Sequence, residues 1–494
     1  MKRLLEEARR MIRLCSVTSN GDEELANYAQ SLLQDRGFKA TLQQVAHSIE
    51  EISKRQFNVI GIMGDPLVDK KIRKGLLLVT HLDTVSGGLS ENWTETGGDP
   101  FAATIKEGKV FGLGAADAKL DFLCKLHAAG KFREKSLKQP IYLVGTCGQE
   151  LGMFGARYLI KSGALNPRQV LVGEPTALKL VHAHKSFSVY RVSIGYQQIE
   201  RDARGFNRRI DLHSFGLSAH GSNPGAGRNA IESALKLLQQ ASDNGFEIRY
   251  TRFDGGDTVN KVPDRAAIQF YLTSHQFEDF KRFFREVARA EGGPNKDFRV
   301  ELGGVGDSGI RFLPDPVFSC IMDVLRFFGE MGRDFAKVRD EGFDPPHSTA
   351  SFGTLRQALG RIDLHFDLRL LPDLIVEEIE KHVREGIQKI AAGYPNLNVT
   401  VARERTNPGL SVKDSHELVN TCREAMSSAG LEPALGKKSS ATEAAPFAVA
   451  GFDAVAFGPG SGDGNSHGPN EHNLLEQIEK ATSFYEKLIE RVCM

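Results

Sequence analysis

The sequence predicts an α/β protein: a mixed, largely parallel sheet with helices on both faces, interrupted by an inserted α+β domain. Three observations carry this. The runs GLLLVTHLD (75–83), IYLVGTCG (141–148) and QVLVGEP (169–175) are continuous and apolar, as buried strands are. Helical segments, KLDFLCKLHAAGKF (119–132) and ELGMFGARYLIKSG, fall between them, and strands alternating with helices imply parallel members covered on both faces. Near residue 185 the character changes, because FSVYRVSIGY alternates as a half-buried strand does.

Taken in order, residues 2–14 and 23–36 read as helices broken by the turn Thr18-Ser19-Asn20-Gly21, the second stopping at Gly37. After 185, NAIESALKLLQQAS (229–242) is an amphipathic helix. Residues 267–287 and 363–383 form a weak internal repeat of strand, short link and helix, each with an F-x-L core. Residues 185–395 therefore read as a second domain inserted into the first, with a link back near RERTNPGLS (403–411). The first domain, 1–184 and 396–494, resumes with a helix (415–429), a strand near 453–458 and a final helix from 473. A chain of 494 residues is long enough for two or three domains.

Bulk composition excludes some functions. The 63 basic and 63 acidic side chains balance, so there is no general pull toward nucleic acid or anionic membrane. No run reaches the roughly 18 apolar residues of a spanning helix. The opening MKRLLEEARRMIRL is charged throughout and lacks the apolar stretch of a secretory signal. Six scattered cysteines without CxxC spacing read as free thiols, which places the expected setting in the cytoplasm.

The chemistry-bearing residues sit at strand ends and in glycine-rich loops. A lone histidine at 81 would read as structural, but Asp83 two residues on can accept its second imidazole N–H and fix the tautomer for metal binding. Asp117 lies in GLGAADAKLD, Glu150 in CGQELG, Glu174 in VGEPT and His467 in SHGPNEH. Ligands collect at the carboxyl ends of strands in such sheets, and His81, Glu150 and Glu174 lie at or just past such ends. Two histidines and three carboxylates suit zinc, with cobalt or manganese also compatible. Five ligands are too many for one open catalytic ion and fit two metals about 3.5–4 Å apart sharing a carboxylate.

The ordered set resembles the family of acetylornithine deacetylase, succinyl-diaminopimelate desuccinylase, aminoacylase and carboxypeptidase G. HLDTV (81–85), the Trp93 and Asp99–Phe101 element, GLGAADAK (112–119), GEPT (173–176), HGSNPGAGRNAI (220–231) and FGPG…SHGPNE (457–471) follow the family order over nearly the whole chain. The resemblance implies a zinc aminopeptidase-like fold with an inserted lid and dimerisation domain. It implies two zinc ions, one on His81 and Glu174, the other on Glu150 and His467, bridged by Asp117, with Asp83 orienting His81. It assigns His220 as a lid histidine that stabilises an oxyanion. It also assigns Asn260, Arg369 and Thr442 to the substrate, Arg369 as a fork for its carboxylate. Glu443 and Ala441 stand where the family's G-T-D-A loop has aspartate and glycine. The implied substrate is a small N-acyl amino acid or short peptide with a free carboxylate. The position of His220 implies a homodimer, while the enlarged lid is similar to that of monomeric dipeptidases.

One departure bears on activity. The family has D-E-E-x-G, its first glutamate the general base; here the residues are Gly148-Gln149-Glu150-Leu151-Gly152. The amide of Gln149 does not titrate near neutral pH and cannot accept a proton from water. The expectation is thus a two-metal amidohydrolase impaired or silenced by Gln149. The alternative is a binding protein that keeps metal and ligand on the same fold without turnover.

Overall fold

A computed structural model describes all residues except 48, 50, 51, 53, 66–72, 198–204, 291–296 and 306–309, and gives only the backbone of 288–290 and 304–305. The described chain divides into two units, Met1–His184 with Asn407–Met494, and Lys185–Thr406.

The first unit is built on a mixed sheet of Lys39–Val45 (β1), Gln56–Met63 (β2), Leu76–His81 (β3), Ile141–Thr146 (β6), Gln169–Gly173 (β7), Leu180–His184 (β8), Leu410–Ser411 (β17), Leu435–Lys438 (β18) and Asp453–Ala456 (β19). Its order is β1-β2-β6-β3-β7-β19-β8-β17, with β18 also on β8. The three apolar runs lie side by side: β3 runs parallel to β6, with His81 opposite Thr146, and parallel to β7, with Thr80 opposite Gly173. Every residue of these three strands is buried, because both faces are covered.

Alternation sends successive strand residues into two cores. Leu76, Leu78, Leu143 and Leu171 pack with helices Lys2–Arg13 (α1), Glu23–Asp35 (α2), Lys119–Gly130 (α3), Glu417–Ser428 (α9) and Leu475–Cys493 (α11). Leu77, Val79, Val144 and Val172 pack on the other face with Phe154–Ser162 (α4) and Ala444–Val449 (α10). A small sheet of Thr104–Lys106 (β4), Lys109–Phe111 (β5) and His472–Leu474 (β20) completes the unit. The helix expected to begin near Glu150 begins only at Phe154. Gly148 and Gly152 have φ of +70° and +115°, and this left-handed backbone holds 148–153 as a loop.

The second unit has one eight-stranded sheet. Its strands are Ser186–Gly195 (β9), Phe206–Phe215 (β10), Arg249–Gly255 (β11), Arg265–Thr273 (β12), Phe298–Val305 (β13), Thr349–Ala358 (β14), Arg361–Leu370 (β15) and Asn398–Asn407 (β16), in the order β13-β10-β12-β11-β14-β15-β9-β16. One core joins it to Ala230–Asp243 (α5), Phe277–Ala290 (α6), Pro316–Phe335 (α7) and Val376–Ala392 (α8). The internal repeat corresponds to β12–α6 and β15–α8. These lie on opposite sides of a narrow seam where β11 meets β14 through two residue pairs, Asp254–Arg356 and Gly255–Leu355. The boundary expected at 395 falls instead between Thr406 and Asn407, because β16 extends this sheet beside β9.

Among the described residues no helix is long and apolar enough to cross a membrane. The six cysteines are free thiols, Cys15 exposed and the others buried.

Glu7 ties α1 to its neighbours. Its carboxylate accepts from Arg36 Nη2 at 2.8 and 3.0 Å and from Arg3 Nε at 3.0 Å, and lies 2.7 Å from His127 Nε2. Burial opposes the charge, yet His127, Arg36 and Arg3 hold its pKa near 2, below the ordinary 4.5. A depressed carboxylate contributes stability above its unfolded pKa and loses it as pH falls toward the folded one. Glu7→Gln is expected to lower the melting temperature at pH 7, and the gap to the parent should narrow as pH drops below about 4.5. Thermal melts of both chains from pH 7 to 3 check this; a constant gap refutes it.

Candidate metal centre

The expected ligands converge at one end of the first unit's sheet. His81 closes β3, and its Nε2 lies 3.0 Å from Asp117 Oδ1. The other carboxylate oxygen of Asp117 lies 3.2 Å from His467 Nε2, which is 2.9 Å from Glu150 Oε1. Ligand atoms of Asp117, Glu150 and His467 all fall within 4.8 Å of one another. Asp117 thus stands between two imidazoles. Glu174, just past β7, is buried, and its Oε2 accepts from Lys438 Nζ at 2.7 Å. Its Oε1 is buried with no hydrogen-bond partner among the described residues, which is costly for a carboxylate oxygen.

The electrostatics describe a site short of positive charge. Burial works against a charged His81, yet Asp117 and Asp83 hold its pKa well above the ordinary value. Glu150 is the main cause that pushes His467 up to about 11. Burial would raise Asp117, but His467 and His81 hold it well below the usual carboxylate range. The carboxylates thus favour positive charge at both imidazoles. A divalent metal would answer the same carboxylates with the imidazoles neutral, as ligation requires. Borderline nitrogen and hard oxygen donors, with an orphaned Glu174 oxygen beside them, fit metal ions of the zinc type.

Asp83 acts differently from expectation. His81 Nδ1 is 3.1 Å from the main-chain oxygen of Asp83 but 3.6 Å from its carboxylate, beyond hydrogen-bond range. The carboxylate instead accepts from Thr18 Oγ1 at 2.7 Å and from the main-chain N–H groups of Gln149 and Glu150 at 3.1 and 3.3 Å. It anchors the loop that presents Gln149 and Glu150. Thr442 is fully buried; its hydroxyl accepts from Ala444 N at 3.2 Å at the start of α10, and its N–H reaches His184 Nε2. That geometry gives it a structural task and offers no surface to a substrate.

Three expected residues gather in the second unit. Gly221 N donates to Asn260 O at 2.7 Å, and His220 bridges Lys261. A Cβ at Gly221 would come 2.6 Å from Asp367 Oδ2, so the His220 turn lies on Asp367. Arg369 grips that aspartate with Nε at 2.8 Å and Nη2 at 3.0 Å and stacks its guanidinium 4.1 Å from the Phe187 ring centre. The fork expected for a substrate carboxylate therefore already holds an internal one. His220 is exposed; its Nδ1 accepts from Ser222 N at 3.1 Å, which leaves the proton on Nε2, the tautomer a donor needs.

Sequence reasoning missed Lys438 and Glu471, and noted Glu443 only as a departure from the family's G-T-D-A loop. Glu471 accepts the N–H groups of Ala116 and Asp117 at 2.8 and 2.9 Å and so holds the Asp117 turn, while burial raises its pKa to about 7. Glu443 is buried on Thr146 Oγ1 and is pushed up to about 8 by burial. The only sequence signal was position, since Glu471 closes the SHGPNE element and Glu443 follows Thr442.

With this geometry in view, comparison with known proteins decides the lineage. The model of peptidase family M20/M25/M40 matches residues 77–491. The chain belongs to this family. It is a hydrolase of the M20 type, similar over 97% of its length to the acetylornithine deacetylase of Proteus mirabilis (24% identical, 92% of that protein covered). Its fold is shared with the aminoacylhistidine dipeptidase of Vibrio alginolyticus (TM-score 0.66, 17% identity, 99% and 96% of the two chains covered). It is shared as well with the YXEP protein of Bacillus subtilis, an M20 dinuclear metal-binding peptidase (TM-score 0.50, 11% identity, 99% and 98% covered).

Metal binding is directly measurable. Chelator-stripped protein titrated with Zn²⁺ is expected to take up two equivalents and to melt at a higher temperature. A ligand at 100 times its Kd stabilises by about 2.7 kcal/mol. Asp117→Asn should lose at least one equivalent. Titration by calorimetry checks both, and no uptake by the parent chain would remove the site.

Proposed function

We propose that this chain cleaves the amide bond of an N-acyl amino acid or short peptide bearing a free carboxylate, with two zinc ions on His81, Asp117, Glu150, Glu174 and His467. The observation that carries this is Asp117 held between His81 and His467 with Glu150 in reach, in a member of the M20 family. Relatives named deacetylase and dipeptidase favour a small amide substrate. Bound there, a metal pair supplies Lewis acidity toward the carbonyl and acidifies water.

The chain's own residues take the remaining roles. The Asp83 carboxylate holds the Gln149–Glu150 loop in place. His220, with its proton on Nε2, donates to the developing oxyanion. Asn260 and Arg369 orient the substrate, Arg369 through N–H groups beyond the two spent on Asp367. The position of the general base is Gln149. Its amide neither removes a proton from water nor returns one to the leaving nitrogen. The second reading, a protein that binds metal and ligand without turnover, is favoured by Gln149 alone.

General acid–base catalysis contributes about 10²–10⁴-fold, so Gln149→Glu is expected to raise kcat at least ~10²-fold. A panel of N-acyl amino acids and dipeptides assayed with both chains decides it. Equal, robust rates would place the base elsewhere; silence of both with metals bound would favour the binding protein. In the Gln149→Glu background, His220→Ala should cost about 10²–10³-fold in kcat, the usual loss for one oxyanion donor. Our reading includes a homodimer that shares this histidine. A His220→Ala chain mixed with an Asp117→Asn chain should then regain activity, and mixed dimers without recovery would refute the sharing.

A further inference from the structure

Beneath the strand ends that carry His81 and Glu174 lies a charged network that the proposed chemistry does not use. Asp121 and Lys125, one turn apart on α3, are 1% and 0% exposed. Lys125 Nζ donates to Asp121 Oδ2 at 2.7 Å, to Val79 O at 2.8 Å and to Thr80 Oγ1 at 2.8 Å, which spends all three of its hydrogens. Thr80 Oγ1 donates in turn to Asp121 Oδ2 at 2.7 Å. On the other side, the Tyr485 hydroxyl of α11 donates to Asp121 Oδ1 and lies 3.1 Å from Phe457 O.

The backbone closes tightly on this group. A Cβ at Gly173 would collide with Asp121 Oδ2 and come within 2.6 Å of Lys125 Nζ. A Cβ at Gly458 would stand 2.5 Å from Glu174 O and 3.1 Å from Asp121 Oδ1. The network therefore touches the residue before His81, the residue before Glu174 and the loop after β19. Its neighbours on α3, Leu120, Phe122, Leu123 and Leu126, are buried and apolar.

Stability is a weak reason for such a pair. Desolvating two charges costs about as much as their attraction returns, and apolar replacement of a buried pair is commonly neutral or stabilising. What the pair supplies is direction: beyond their bond to each other, four hydrogen bonds with fixed partners join α3 to β3 and α11. Apolar side chains would fill the same space without tying α3 to the end of β3. We propose that Asp121 and Lys125 are positioning residues for one metal subsite, holding the ends of β3 and β7, at Thr80 and Gly173, against α3 so that His81 and Glu174 present their ligand atoms at the separation one ion requires. This rests on the reading of His81 and Glu174 as ligands of a shared ion. The pair is neutral as a whole, so its effect is geometric.

The test is metal affinity, read apart from turnover. Chelator-stripped parent, Asp121→Asn/Lys125→Met and Tyr485→Phe chains are titrated with Zn²⁺ by calorimetry, with thermal melts alongside. The double variant keeps the side-chain volumes and removes both charges. It is expected to melt within a few degrees of the parent while one of two sites weakens about 10–100-fold, the usual effect of losing an outer-shell partner. Tyr485→Phe removes one hydrogen bond without altering charge and should weaken the same site by less; it carries the test if the double variant fails to fold. Parent-like affinities at both sites in the variants, or equal weakening of both, would overturn the positioning role alone. A parent chain that binds no metal would overturn the ligand reading and this inference with it.

Discussion

Carboxylates crowded against one edge of a buried sheet need positive charge, and much of the first unit is arranged around supplying it. Asp83, Asp117, Glu174, Glu443 and Glu471 are buried or nearly so, with Glu150 beside them. Isolated buried carboxylates are costly, so each has a partner or an altered proton affinity. Asp83 collects N–H and hydroxyl donors, Glu471 collects backbone N–H groups, and Glu443, whose pKa lies near 8, holds a proton at neutral pH. Asp117, Glu150 and Glu174 instead face His81, His467 and Lys438. This division separates carboxylates saturated by hydrogen-bond donors from those paired with a histidine or lysine. The same side chains could not serve both tasks, because a carboxylate saturated by backbone donors has little left to offer a metal.

The legibility of these groups in the sequence follows their distance from a local pattern. His81 and Glu174 close apolar runs, and a parallel sheet aligns the ends of such runs, so their meeting was foreseeable from periodicity. Asp117 and His467 lie in glycine-rich loops with no period, and only their order along the chain gave them away. Lys438 was not legible at all. Its partner is 264 residues away, and nothing near it in sequence marks it as paired with Glu174. The second domain boundary was misplaced for a related reason. β16 is an edge strand carrying Arg403, Glu404 and Arg405, and an exposed charged strand resembles a linker when its pairing is unseen.

In the second unit the structure gives the residues proposed from the sequence contacts that the sequence did not show. Arg369 has the fork geometry that suits a carboxylate, and it is spent in part on Asp367. That pair packs against the His220 turn at Gly221, whereas Asp83 bonds the Gln149 loop directly through its N–H groups. His220 gains its donor tautomer from the same turn, because the Ser222 N–H occupies Nδ1.

Gln149 can be weighed on these terms. A glutamate there would add a negative charge to a loop already held by Asp83 and leading into Glu150. His81 and His467, the histidines paired with this cluster of acids, are already engaged by Asp117. Glutamine keeps the shape, keeps the main-chain bond to Asp83 and removes the repulsion. It also removes the group able to carry a proton. Stability and catalysis therefore pull this position in opposite directions, as they commonly do where an active site must gather like charges. On the proposed reading, the glutamine keeps the loop and relaxes its charge, and acid–base chemistry is what it gives up.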